Sequence, residues 1–65
     1  MAEVIHRGKH YRATTMRDGS LIVENPRFSG GKRLIGEEAT KWADAIKTAM
    51  DNQEADALCR AIYQA

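Results

Sequence analysis

The chain has few of the residues that stabilise very small proteins through cross-links or metals. Its 65 residues include one cysteine, which excludes an intramolecular disulfide, and two histidines whose spacing fits no zinc motif. Aromatic residues make up only 6%. Because a chain of this length buries only about 60% of its unfolded surface, we expect either a tightly packed core or a second copy covering part of it, so a homodimer is one prediction.

Long apolar runs are also missing. No stretch approaches the roughly 20 residues that a membrane helix requires, and the first residues, Met1 to His6, lack the apolar segment of a secretory signal. A single cysteine without an export signal is typical of the reducing cytosol. Together with the initiator methionine, these absences predict a complete cytoplasmic protein that does not enter a membrane.

Charge is divided unevenly along the chain. Residues 1–36 carry seven Lys or Arg against three Asp or Glu, whereas residues 37–65 carry three against six. With 43% hydrophobic residues, the composition is that of one globular domain. We therefore predict a single small domain over 1–65, with a β-rich basic half (1–36) and a helical acidic half (37–65). Two oppositely charged surfaces, or attraction between the halves within one fold, would both explain this division.

The clearest pattern lies in residues 37–50 and predicts an amphipathic helix. Its apolar side chains recur at the spacing of one helical stripe, and they are Ala39, Trp42, Ala43, Ile46, Ala49 and Met50. The acidic Glu37 and Glu38 suit the positive end of the helix dipole. The stripe predicts that Trp42 lies at the centre of the core.

A second helix is predicted over residues 53–63. Its apolar positions again follow helical spacing, and they are Ala55, Leu58, Cys59 and Ile62. Asp51, just before this helix, and Glu54, in its first turn, have the spacing of an acidic capping box, which favours a helix start there.

The basic half contains a β-hairpin signal around Arg17-Asp18-Gly19. A two-residue turn would pair Ala13 with Glu24, whereas a three-residue loop would pair Arg12 with Glu24. We prefer the three-residue loop because it sets opposite charges across from each other and places Gly19 where a left-handed backbone is needed. In this register, five side chains share the face that is predicted to pack in the core, and they are Tyr11, Ala13, Thr15, Leu21 and Val23.

Beyond Pro26, residues 27–32 are predicted to form a flexible connection with Phe28 as its apolar anchor, and residues 33–35 a short third strand. The predicted fold class is α+β, with an antiparallel β-hairpin or three-stranded sheet followed by two α-helices packed on one face.

Residues for catalysis or metal binding are sparse. Cys59 lies on the apolar helical stripe, which favours a small buried residue over a nucleophile. His6 and His10 could share a site across a hairpin, but the region has no carboxylates at ligand spacing. The stretch from Ser29 to Arg33 lacks the spacing of a phosphate-binding loop. We therefore predict no catalytic residues, no metal, no cofactor and no enzymatic activity.

Charged side chains are the remaining candidates for a binding site. The basic ones lie on or beside the predicted sheet, where they could contact phosphates, and the acidic ones lie on the first helix. Solvation of a charged surface explains them equally well. The candidate protein- or nucleic-acid-binding residues are Arg7, Lys9, Arg12, Arg17, Arg27, Lys32, Arg33, Glu37, Glu38 and Asp44.

Several short segments resemble the arm-type DNA-binding domain of tyrosine-family phage integrases. They are Gly8-Lys9, Asp18-Gly19-Ser20, Gly31-Lys32-Arg33 and the helical stretch from Glu38 to Trp42, and the likeness covers about residues 4–50. The resemblance implies a three-stranded sheet that enters the major groove of duplex DNA, backed by one helix. The chain departs from that family in its second helix and in having no catalytic domain after the module.

As a whole, the chain resembles in kind the small stand-alone proteins of phages and mobile elements, such as anti-CRISPR inhibitors. That resemblance implies a non-enzymatic binding protein that inhibits a host protein or nucleoprotein complex by docking on its surface. The alternative is a DNA-binding regulator or recombination accessory protein that uses the basic sheet.

Overall fold

A computed structural model describes residues 2–27 and 30–64. The elements follow one another as β1 (Glu3–Arg7), β2 (Arg12–Thr15), β3 (Leu21–Glu24), β4 (Gly31–Leu34), α1 (Gly36–Lys47) and α2 (Asn52–Gln64). The α+β class is confirmed, with both helices after the sheet. The sheet has four strands, one more than predicted.

The additional strand is β1, at the outer edge of the sheet. All neighbours are antiparallel, and the spatial order β1-β2-β3-β4 equals the order in the chain. The register of β1 shifts between Val4 and His6. This β-bulge inserts a residue into the alternation of inward and outward side chains, which explains why the sequence pattern here is weak.

The β2–β3 hairpin has the predicted three-residue register. Arg12 pairs with Glu24 and Ala13 with Val23. Gly19 has φ of 89°, in the left-handed region that favours glycine. The Asp18 carboxylate closes the turn by accepting bonds from the Ser20 amide at 2.9 Å and the Ser20 hydroxyl at 2.6 Å.

The predicted third strand exists as β4, but it begins two residues earlier than expected. Gly31 and Lys32, which we assigned to a flexible connection, pair with Glu24 and Val23. A Cβ atom on Gly31 would lie 2.8 Å from the Val23 carbonyl oxygen, so the close approach of the two strands requires glycine. The predicted anchor Phe28 lies outside the described residues.

Helix α1 ends at Lys47, three residues before the predicted end. The Thr48 amide donates to the Asp44 carbonyl oxygen at 3.0 Å and closes the last turn. As a result, Met50 lies in the joint between the helices and is 92% exposed. Its assignment to the buried stripe was therefore wrong, whereas Ala49 still packs partly buried against the core.

Helix α2 and its acidic cap are confirmed, with one change in the hydrogen bonding. Asp51 Oδ1 accepts from the Glu54 amide at 2.8 Å, as a capping box requires. The Glu54 carboxylate accepts from the Met50 amide at 3.0 Å instead of returning to Asp51. Two hydrogen bonds, one accepted by Asp51 and one by Glu54, therefore stabilise the connection between the two helices.

The core lies between the sheet and the two helices. Its buried members are Ala13, Leu21, Val23, Ala39, Ala43, Ile46, Ala55, Cys59 and Ile62. Trp42 is only half-buried beside this cluster, and its Nε1 donates to Glu38 Oε2 at 3.3 Å. The prediction that Trp42 is the centre of the core was wrong, because Leu21, Val23 and Cys59 are the largest fully buried apolar side chains.

Neither helix of the described ranges has the length and apolar character needed to cross a membrane.

Candidate docking surface

The helix-free side of the sheet is the candidate docking surface. Alternate residues of each strand face away from buried Ala13, Leu21 and Val23, because side-chain direction alternates along a strand. Strand pairing aligns Val4, Thr14, Ile22 and Arg33 in one row across the sheet and Arg7, Arg12, Glu24 and Gly31 in the next. We call this side the open face; its side chains are Val4, Arg7, Arg12, Thr14, Met16, Ile22, Glu24 and Arg33.

The middle of the open face is weakly polar. Val4 on β1 is 42% exposed and Ile22 on β3 is half-buried, with Thr14 on β2 between them. Met16, which is 37% exposed, follows the end of β2. Since neighbouring strands are about 4.8 Å apart, the row from Val4 to Ile22 spans about 10 Å. Val4 and Ile22 thus lie on either side of Thr14, and the three form a small patch bordered by charged side chains.

Arginines border the patch, and two of them have carboxylate partners. Arg12 donates to Glu24 Oε1 at 3.2 Å, and Arg33 donates to Asp18 Oδ2 at 2.9 Å. Hydrogen bonds from Ser20 hold the pKa of Asp18 below its usual value, and the charge of Arg33 adds to this effect. Within residues 2–27 and 30–64, Arg7 takes part in no ion pair.

The seven predicted basic residues do not form one patch. Only Arg7, Arg12 and Arg33 lie on the open face. Lys9 and Arg27 lie in connections at one end of the sheet and Arg17 lies in the turn at the opposite end, because successive connections of an up-and-down sheet alternate between its ends. Lys32 alternates with Arg33 on β4 and therefore faces the helical side of the sheet edge.

The predicted acidic residues are exposed on α1 and lie among cations. Glu37 borders a shallow depression of about 580 Å³ between the start of α1 and the β2–β3 turn, and Lys41 lines the same depression. Glu38 accepts the bond from Trp42. Asp44 is exposed farther along the helix. The outer side of α1 is thus mixed in charge.

A buried polar pair joins the sheet to the second helix. His6 Nε2 lies 2.9 Å from Asp56 Oδ1, and the His6 side chain is only 4% exposed. The two residues are 50 positions apart in the chain, so no local pattern could have revealed the contact. His10 is exposed in the β1–β2 connection. Among the described residues, no three His, Cys, Asp or Glu side chains are grouped to hold a metal ion.

Cys59 is part of the packing. The side chain is fully buried, and burial together with the negative charge of Asp56 raises the pKa of the thiol to about 11. Since the thiolate is the reactive form, the thiol remains protonated and poorly nucleophilic near neutral pH.

The chain has no significant match among family models, curated proteins or solved structures. The resemblances to integrase arm domains and to anti-CRISPR inhibitors therefore remain hypotheses about function, to be weighed against the chemistry of the surface.

Proposed function

We propose that this protein is a non-enzymatic inhibitor of the anti-CRISPR kind, which docks through the open face on a host protein or nucleoprotein complex in the cytoplasm. The observation that carries the proposal is the one-sided sheet. Both helices pack on one face, and the other face presents Val4, Met16 and Ile22 to solvent beside arginines.

The composition of the open face fits a protein partner. Protein interfaces combine an apolar centre with a polar rim, and arginine is enriched in them relative to lysine. The open face has a related arrangement, with Val4 and Ile22 on either side of Thr14 and arginines at the border. An isolated exposed hydrophobic residue would need no explanation, but here Val4 and Ile22 lie in one row on either side of Thr14, and Met16 follows at the end of β2.

The charge of the open face indicates which kind of partner surface would bind it. Arg7, Arg12 and Arg33 meet two carboxylates, Glu24 and the Asp18 that binds Arg33, which leaves one net positive charge. The partner is therefore expected to be acidic beside an apolar spot. Complementary potentials of this type accelerate association and exclude like-charged partners.

Duplex DNA is the second candidate, and one observation favours it. Arg7, Arg12 and Arg33 share one sheet face, as a sheet that enters a DNA groove requires. Against it, Arg12 and Arg33 already contact carboxylates, and Glu24 would repel phosphates. A DNA-binding regulator or recombination accessory protein therefore ranks second.

The test compares variants that change charge equally on two surfaces. Arg7→Glu reverses a charge on the open face and Lys47→Glu reverses one on the outer side of α1, so both lower the net charge by the same amount. Each variant is immobilised to capture partners from a host lysate, and each is expressed in CRISPR-immune cells challenged with a targeted phage. We expect Arg7→Glu to lose the captured protein and the gain in phage plaquing, and Lys47→Glu to keep both.

The DNA alternative is tested by salt dependence. If three arginines neutralise three phosphates, affinity for a duplex falls by about 40-fold between about 50 and 200 mM salt. That steep dependence, together with loss of binding in Arg7→Glu, would replace inhibition by DNA binding as the proposed function. Absence of duplex binding at low salt would eliminate the alternative, and absence of any plaquing effect or captured protein for the wild type would overturn the inhibitor proposal.

A further inference from the structure

The two edges of the sheet differ in regularity. At one edge, β1 is interrupted by the bulge between Val4 and His6, and bulges disrupt the ladder that a further strand would extend. At the other edge, β4 pairs with β3 over four consecutive positions without a shift. The β4 edge is therefore the one with the geometry to accept another strand.

The β4 edge is also accessible. Gly31, Lys32 and Arg33 are exposed, and an edge strand directs every second amide and carbonyl away from its sheet. Ile35 continues the extended backbone, with φ of −130° and ψ of 161°, and is 69% exposed. Among the described residues, the extended edge thus runs over 31–35 and ends in an exposed apolar side chain.

The charges of β4 disfavour a second copy of this chain at the edge. Residues directly opposite each other in an antiparallel pair share a face. A two-fold pairing of β4 with itself therefore sets Lys32 against Lys32 or Arg33 against Arg33, depending on its centre. Like charges in opposed positions are destabilising. Two β4 edges with these cations opposed therefore repel each other, which disfavours self-association.

The same charges favour an acidic strand. Lys32 faces the helical side of the sheet and Arg33 the open face, so two adjacent carboxylates on an added strand would each meet one cation. Arg33 already contacts Asp18, but both side chains are more than half exposed, at 59% and 58%. Exchanging such an exposed ion pair for another costs little.

We propose that the β4 edge binds an extended acidic peptide segment of a partner as a fifth strand. Backbone hydrogen bonds supply the affinity and the two cations select acidic residues, as in β-strand addition. This site is the edge of the sheet, and it does not require that the open face bind anything. Failure here and failure of the proposed docking function are thus distinguishable.

The probe is a blocked peptide with a central acidic pair, Thr-Val-Glu-Glu-Val-Thr, titrated up to about 10 mM, which is tenfold above a millimolar Kd. The measurement is amide hydrogen exchange in the full chain. Exchange at alternate amides between Gly31 and Ile35, those not bonded to β3, is expected to slow by about tenfold once the peptide exceeds its Kd by about tenfold. Amides of β1 at the bulged edge are expected to stay unchanged.

Two controls separate strand addition from charge attraction. A peptide with N-methyl groups on alternate amides keeps its charges but loses the hydrogen bonds, so it should give no protection. The variant Lys32→Glu with Arg33→Glu should lose the acidic peptide and gain its Lys-Lys counterpart. No protection of β4 by the acidic peptide, or equal protection by the N-methylated one, would overturn the proposal and leave Lys32 and Arg33 as charges that only keep the edge soluble.

Discussion

Leu21 and Ile22 are neighbours on β3 and face opposite sides of the sheet. Leu21 is fully buried beneath the helices, whereas Ile22 lies half-buried on the open face. The two residues share a strand, a ladder and nearly the same chemistry, so their difference isolates what the helices contribute. One face of the sheet forms the core with the helices, and the other has no helix packed against it.

Shortening each of the two side chains tests this comparison most strongly. Leu21→Ala should cost about 2–5 kcal/mol, because it leaves a cavity in a packed core. A domain of this size has a free energy of unfolding of only about 3–10 kcal/mol, so much of the variant should be unfolded. Ile22→Ala should cost about 1 kcal/mol or less. Urea unfolding measures both, and equal costs would show that the open face is as well covered as the core.

The titration of Cys59 tests the covered side in a different way. Its pKa rises from 9.0 to about 11 in the folded protein, so the unfolded chain loses this proton first. The resulting stability is fully present below pH 9 and is lost as pH rises toward 11, at about 1.4 kcal/mol per pH unit.

The free energy of unfolding of wild type should therefore fall more steeply between pH 9 and 11 than that of Cys59→Ala, which lacks the group. Taking the difference between the two removes the contributions that both proteins share. Parallel curves would show that the thiol is accessible to water, contrary to its placement in the core.

Removing the N-terminal cap of α2 tests how much this cap stabilises the helix that covers one face of the sheet. Asp51→Ala removes the acceptor of the Glu54 amide and should cost about 1 kcal/mol. Asp44→Ala, which removes the same charge from the exposed middle of α1, should stay within about 0.5 kcal/mol. Thermal unfolding of the two variants compares them, and an inverted order would contradict the capping role.

The smallest effect is expected on the open face itself. Arg12→Ala breaks the ion pair with Glu24, and both partners are exposed. Surface pairs of this kind contribute about 0.5 kcal/mol or less, so the free energy of unfolding should barely change. Salt screens the pair, so the change should be smaller still at high salt. A loss above about 1 kcal/mol would mean that the open-face charges help to hold the sheet together.

Sequence reasoning succeeded where the signal is local. The β2–β3 register followed from alternating apolar residues, from Arg12 opposite Glu24 and from Gly19 in the turn. Both helices followed from their apolar stripes, and the start of α2 from Asp51. Each of these signals depends on residues at most 12 positions apart in the chain, within one hairpin or one helix, where backbone geometry sets strict spacing.

The errors arose where the structure depends on distant contacts. Strand β1 is short and bulged, and it is held by the β2 ladder and by the contact of His6 with Asp56, 50 residues away. The Gly30-Gly31 pair indicated a flexible linker in the sequence. In the structure, Gly31 pairs with β3 at a position where only glycine fits. Trp42 and Met50 fit a helical stripe in the sequence, yet α1 ends before Met50, and Trp42 lies partly buried at the margin of the core.

The candidate site was only partly visible in the sequence. The basic residues could be identified from the sequence, but only pairing of four strands shows that Arg7, Arg12 and Arg33 share a face while Lys9, Arg17, Arg27 and Lys32 do not. The row of Val4, Thr14 and Ile22 depends on the position of β1, which the sequence pattern did not reveal.

The most direct test of an open-face docking function is partner capture by Ile22→Ser beside capture by Lys47→Glu, with both variants confirmed as folded. We predict that Ile22→Ser loses the protein that wild type captures, whereas Lys47→Glu retains it. Retention of that protein by Ile22→Ser, or its loss only in Lys47→Glu, would contradict docking through the open face.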